Sequence, residues 1–156
     1  MRKLAACITV VASLALGGNA LGGSSDFGGK IEKGGKIGID TDGGTDHVDR
    51  IRHEKFPATC NGNPNYVVKA TWRPASDVPI TGNEFTADLE DPDTGSTLHM
   101  TGTLKNGGTK IAGEIKAKLF FNNGNTKCTT KLRNYSATAG NDTTRGDPKT
   151  SYKRVR

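Results

Sequence analysis

Between Asn83 and Leu119 apolar and polar residues alternate with a period of two through three consecutive segments, the spacing of half-buried β-strands. Phe85, Ala87 and Leu89 share one face against Thr86, Asp88 and Glu90. Leu98, Met100, Gly102 and Leu104 then oppose Thr97, His99, Thr101 and Thr103, and Ile111, Gly113, Ile115, Ala117 and Leu119 oppose Lys110, Ala112, Glu114, Lys116 and Lys118. Turn residues separate the segments at Asp91-Pro-Asp-Thr-Gly95 and Asn106-Gly-Gly108, because glycine supplies positive φ and Asp or Asn caps a turn backbone. The pattern predicts an antiparallel sheet with one dry face.

The rest of the chain adds shorter pieces of the same kind. Ile37 and Ile39 mark a strand ending in the turn Asp40-Thr-Asp-Gly-Gly44. The return strand, His47 to Phe56, is rich in charge, and its apolar residues Val48, Ile51 and Phe56 break simple alternation. That irregularity predicts a bulge or an exposed edge. After the turn Asn61-Gly-Asn-Pro64, Tyr66, Val68, Ala70 and Trp72 share a face until Arg73-Pro74 stops the strand, since proline cannot donate to a ladder. Further strands are expected at Thr126 to Leu132 and around Tyr135 to Ala137. No segment carries a helical apolar stripe. Seven or eight short strands predict an all-β, antiparallel β-sandwich, with a flattened β-barrel as the alternative.

The two ends read differently. Arg2 and Lys3, the apolar run Leu4 to Leu16 and Gly18-Asn-Ala20 have the layout of a secretory signal peptide over residues 1–20, cleaved after about Ala20, with an apolar run too short to span a bilayer. A flexible Gly/Ser-rich leader is expected over 21–33, a sandwich domain over 34–139 and a basic disordered tail over 140–156. The formal charge of +6 loses two units with Arg2 and Lys3, and most of the remaining excess lies in Arg145, Lys149, Lys153, Arg154 and Arg156. Such a tail suits an anionic cell-surface polymer. It does not suit nucleic acid, because its cations are not interleaved with aromatics.

Apolar residues make up 33% of the chain and aromatics 6%, against 21 glycines, so the core is modest and other stabilisation is expected. Loss of Cys7 with the signal leaves Cys60 and Cys128, an even pair in an oxidising compartment, which predicts one disulfide. Their wide separation offers no zinc spacing.

Phe56-Pro-Ala-Thr-Cys60-Asn-Gly62, Phe85, Leu98-His-Met-Thr-Gly-Thr-Leu104, Ile111-Ala-Gly-Glu-Ile115, Thr126-Lys-Cys128 and Tyr135-Ser-Ala137 together resemble small secreted β-sandwich proteins of actinobacterial type. The resemblance spans residues 34–138. It departs at Lys-Cys-Thr-Thr, where a Cys-x-Gly is usual, and it implies a bacterial sandwich with a disulfide and no particular activity.

Candidate chemistry is sparse. Asp40, Asp42 and Asp46, with Asp49, place hard oxygen donors around one turn, as Ca²⁺ requires. The EF-hand pattern fails at Gly44, Thr45 and Ile51, which favours a plain Asp/Gly turn, and no other cofactor is expected. His47, His53 and His99 read as solvated surface residues. Asp88, Glu90, Asp91 and Glu114 are the carboxylates from which a hydrolase pair would be drawn, but no nucleophile elbow, zinc motif or phosphate loop is present. Trp72 and Tyr66, with Tyr135, are the aromatics suited to ligand contact, although Trp72 and Tyr66 share a face with Val68 and Ala70 and so also suit the core. Asn134-Tyr-Ser136 and Asn141-Asp-Thr143 match the glycosylation acceptor only for a host that uses it. The expectation is a secreted or envelope-associated, non-catalytic binding module for an extracellular polymer or protein. A secreted hydrolase with an unrecognised carboxylate site is the alternative.

Overall fold

A computed structural model describes residues 25–42, 45–142, 144, 146 and 148–155. The expected signal peptide, Gly43, Gly44, Arg145 and Arg156 lie outside the described residues. Eleven strands follow in order: β1 Ser25–Ile31, β2 Lys36–Thr41, β3 His47–Cys60, β4 Asn63–Trp72, β5 Val78–Pro79, β6 Glu84–Glu90, β7 Thr97–Lys105, β8 Lys110–Phe121, β9 Thr126–Thr130, β10 Arg133–Ala139 and β11 Ser151–Arg154. Every pairing among them is antiparallel.

Six strands close a ring. β3 pairs β2, β2 pairs β1, β1 pairs β10, β10 pairs β8, and β9 joins β8 back to β3. Two wings extend the same sheet: β4 and β11 run outward from β3, and β7 and β6 outward from β8. The result is a flattened barrel with sandwich-like wings. The alternation of residues 83–119 is realised in β6, β7 and β8, where Phe85, Ala87, Leu98, Met100, Leu104, Ile111, Ile115 and Leu119 are buried.

The return strand is bulged, as its broken alternation predicts, but it is not an edge. β3 pairs with β2, β4, β5 and β9. Its register shifts between Asp40 and Thr41 on the β2 side and between His53 and Phe56 on the β4 side, where Lys55 takes φ 52°. The second bulge carries Lys55 outward and lets Phe56 follow His53 into the core. The hairpin to β4 then turns on Asn61 (φ 46°) and Gly62 (φ 84°), the positive-φ pair that a two-residue turn demands. Beside it Cys60 and Cys128 stand directly opposite each other on β3 and β9, bonded as a disulfide with their Cα atoms 4.0 Å apart.

Both ends differ from expectation. The segment read as a flexible leader contains β1, whose Phe27 is fully buried between β2 and β10. Phe27 and Ile31, four positions apart with two glycines between them, gave too weak a period to register as a strand. The segment read as a disordered tail crosses the outer face of four strands and ends in β11. A Cβ on Gly28 would lie 1.9 Å from the Asn141 carbonyl oxygen, and one on Gly38 would lie 2.1 Å from Thr144 Oγ1. These paired glycines of β1 and β2 make the trough in which the strap lies. Farther along, Arg52 of β3 donates to the Asp142 carboxylate at 2.8 Å, and Thr71 of β4 donates to the Pro148 carbonyl at 3.3 Å. β11 pairs with β4, and Tyr152 packs against Tyr66 and Phe121 with ring centroids 5.9 and 4.6 Å away.

Two stability measurements check these contacts. Replacing both cysteines by alanine should lower unfolding free energy by about 4 kcal/mol, from the chain entropy of the closed loop, read as a lower urea midpoint equal to that of the reduced wild type. Gly38→Val should cost about 1–3 kcal/mol by overpacking the trough and should open residues 140–150 to limited proteolysis. An unchanged cleavage pattern would mean that the strap does not depend on this trough.

Candidate binding cleft

A hollow of about 1140 Å³ lies between the wings. Three stretches of chain build it. β4 delivers Trp72 and stops at Arg73-Pro74, β6 runs along the other side, and the tight turn from Asp91 to Ser96 closes one end beside the last residues of β8. The turn is held by its own side chains. Asp91 accepts from the Asp93 amide at 3.0 Å and from Thr94 Oγ1 at 2.9 Å, and buried Ser96 accepts from the Phe120 amide at 2.9 Å.

The lining is strongly acidic. Asp77, Asp88, Glu90, Asp91 and Asp93 all border the cleft, and among the described residues Arg73 is the one basic residue that does. Asp91 is committed to its turn, and Asp88 meets His99 Nδ1 at 2.5 Å. Among the described residues Glu90 and Asp93 carry no side-chain partner for their carboxylates. Trp72 is 6% exposed, and its buried indole N–H has no acceptor.

Of the carboxylates picked from sequence, Asp88, Glu90 and Asp91 thus come together. Glu114 does not, because it lies opposite Thr101 on the β7–β8 pair, away from the cleft. Trp72 belongs to both core and cleft, whereas Tyr66 is half-buried against Tyr152 and lines no part of it. Asp77 and Asp93 went unselected because each stands in a loop whose position only the fold sets.

The candidate Ca²⁺ residues make separate contacts. Asp40 is buried and paired with both Arg50 and Arg52. Asp42 Oδ1 accepts from the amides of Asp46 and His47 at 2.7 and 3.1 Å, which makes it a turn cap, and Asp46 is exposed. Among the described residues no group of three or more His, Cys, Asp or Glu side chains is placed to hold a metal ion. In the former tail, Lys149, Lys153 and Arg154 are exposed, the last two on β11.

The histidines separate into two environments. His47 reaches Asp49 at 3.0 Å and Asp42 at 3.5 Å near the surface. His53, expected at the surface, is fully buried in the core and packs edge-on against Phe56 at 5.5 Å. It lies inside because it keeps the parity of Ile51 before the bulge reverses it. Burial lowers its pKa to about 4, weakly opposed by the Val68 backbone, and neither ring nitrogen reaches a partner at hydrogen-bond geometry. Burial likewise pushes the Tyr135 phenol well above its usual range, while its hydroxyl donates to the Thr101 carbonyl at 2.8 Å.

Fold and site together define a small all-β barrel with an acidic cleft between its wings. No family model matches the chain, and no curated protein matches it. A solved structure described as "Structure of EF1p2_mFAP2b bound to DFHBI" aligns with a TM-score of 0.33 and 10% identity, over 77% of this chain and 92% of that one. A likeness at that level carries no argument about what this chain binds.

The buried imidazole has a measurable consequence. The unfolded ring protonates below its ordinary 6.5, whereas the folded ring resists until about 4. The folded state is therefore penalised progressively as pH falls through that window, by about 3 kcal/mol at its lower end. Urea titrations of wild type and His53→Leu at pH 7 and pH 4 should show the gap between them changing by about that amount in favour of the variant. A constant gap would mean that the ring is not buried neutral.

Proposed function

We propose that this chain is a non-catalytic binding module, secreted or envelope-associated, that holds an extracellular polymer or protein in the cleft between its wings. The observation that carries the reading is the convergence of Trp72 and the carboxylates of two separate wings on one hollow. Concave surfaces on which polar groups and an aromatic converge are common ligand sites. The basic contribution of the C-terminal segment comes from a fixed strand edge, Lys153 and Arg154 on β11. An anionic surface polymer would meet that edge, on the side of the wing where β11 pairs with β4.

Co-sedimentation on purified cell walls and insoluble polysaccharides, at low and high salt, tests this reading. Asp88→Asn/Glu90→Gln should reduce retention several-fold at both salt levels, whereas Lys153→Gln/Arg154→Gln should reduce only the salt-sensitive part. Retention unaffected by the cleft substitutions would remove the cleft from the function. The tail is left intact in this design because its strap and strand are part of the fold.

A hydrolase is the second reading, favoured by the presence of Asp88 and Glu90 on one concave surface. Release of soluble sugar from those polysaccharides, abolished by Glu90→Gln, would replace the binding module with an enzyme.

A further inference from the structure

The cleft is bordered by strand edges. Among the described residues β6 pairs with no strand but β7; Thr81 bridges Glu84 at its start, and beyond that bridge, from Phe85 to Glu90, its other side presents backbone N–H and C=O groups without a ladder partner. Across the hollow, β11 covers β4 only from Tyr66 to Lys69, and Ala70, Thr71 and Trp72 continue into the cleft beyond it. An open ladder edge is the template on which an extended peptide adds as a further strand. Main-chain bonds supply affinity in that mode, and side chains supply choice.

The lining says which peptide. Asp77, Asp88, Glu90 and Asp93 border the path of an incoming segment beyond the turn-bound Asp91; Asp88 also meets His99 and Asp77 lies 4.0 Å from His47, which leaves Glu90 and Asp93 without side-chain partners among the described residues. They call for cations. A second feature is independent of charge: Trp72 borders the cleft, and its indole N–H, closed to solvent, has no acceptor. Leaving such a donor unsatisfied is costly, and a peptide carbonyl would satisfy it where an ammonium group would not. The smaller hollow on the other side of β6, about 490 Å³, mixes Asp88 and Glu90 with Lys116 and Lys118 and selects no sign of charge.

We propose that the cleft receives an extended segment of a partner protein with Lys or Arg at alternate positions, added as a strand on β6, with a backbone carbonyl accepting from Trp72 Nε1. The proposal rests on the cleft being the binding site and goes further by naming the ligand chemistry. It also accounts for an acidic edge strand: Glu84, Asp88 and Glu90 on β6 repel a second copy of the same edge while admitting a basic one.

Trp72 is the chain's single tryptophan, so its emission reports the cleft directly. The full chain would be titrated with the capped peptide Lys-Val-Lys-Val-Lys-Val-Lys, with two isomers N-methylated at one or the other alternate set of amides, and with spermine. A saturable emission change is expected with the parent peptide. One N-methylated isomer should bind at least tenfold more weakly than the other, because only one set of amides faces β6. Asp88→Asn/Glu90→Gln, with an unchanged thermal melt, should weaken binding at least fivefold.

Equal binding by both isomers, or by spermine at the same total charge, would reduce the interaction to charge alone and overturn strand addition. No emission change at millimolar peptide would also overturn it. If the peptide fails while wall or polysaccharide retention still depends on Asp88 and Glu90, the ligand assignment falls and the cleft survives. If both fail, both readings fall. Peptide-resistant self-association of the chain would give the β6 edge to a second copy.

Discussion

The ring closes only because β3 changes partners along its length. Its first half lies between β2 on one side and β5 and then β4 on the other, and its last three residues pair with β9, which returns the sheet to β8. A regular fourteen-residue strand would keep one register throughout and drive Lys55 into the core. The bulge at Glu54 and Lys55 resets the parity, so that His53 and Phe56 both point inward and Ala58 and Cys60 continue on the same side. The disulfide then fixes the place where the ring joins. Cys60 and Cys128 are 68 positions apart in sequence and directly opposite in the ladder, so the covalent bond holds a junction between distant segments whose closure costs loop entropy.

The C-terminal strap is held by charge in a place where charge is costly. Arg52 and Asp40 are almost completely buried and Asp142 largely so. Desolvation of such groups is offset only when each finds close partners. Arg52 therefore fixes the strap as much as it stabilises the barrel: without Asp142, part of a buried guanidinium would lose its anion. The paired glycines of β1 and β2 let the strap approach closely enough for that contact. Beyond it Tyr152 docks on the outer wing and places β11 beside β4, which leaves Ala70 to Trp72 bordering the cleft.

The cleft follows from the same geometry. A closed ring removes edges, but wings restore them. Here one edge is covered by β11 for part of its length and the other carries acidic side chains. Charged edges commonly protect a sheet from unwanted pairing. The carboxylates of β6 and its following turn do more than that, since they converge with a buried indole on one hollow. That convergence makes this edge the candidate site and distinguishes it from the basic edge at β11.

The strands of the meander were legible because each has one buried face, which forces the two-residue period seen at Phe85 to Leu119. The disulfide was legible because only two cysteines follow the apolar leader. β1 and β11 were not, since strands of mostly Gly, Lys, Ser and Arg are stabilised by neighbours supplied from distant sequence. His53 was misread for a related reason: its side depends on a bulge, and a bulge is a compromise between two partner strands. The partners of Asp40 were not legible either, since only the fold brings Arg50 and Arg52 around it. The cleft carboxylates were visible one by one, but their convergence with Trp72 was not. Local pattern determines which residues are extended and which face is apolar; ring closure, the strap and the meeting of two wings depend on contacts between segments far apart in sequence, and only the tertiary structure decided them.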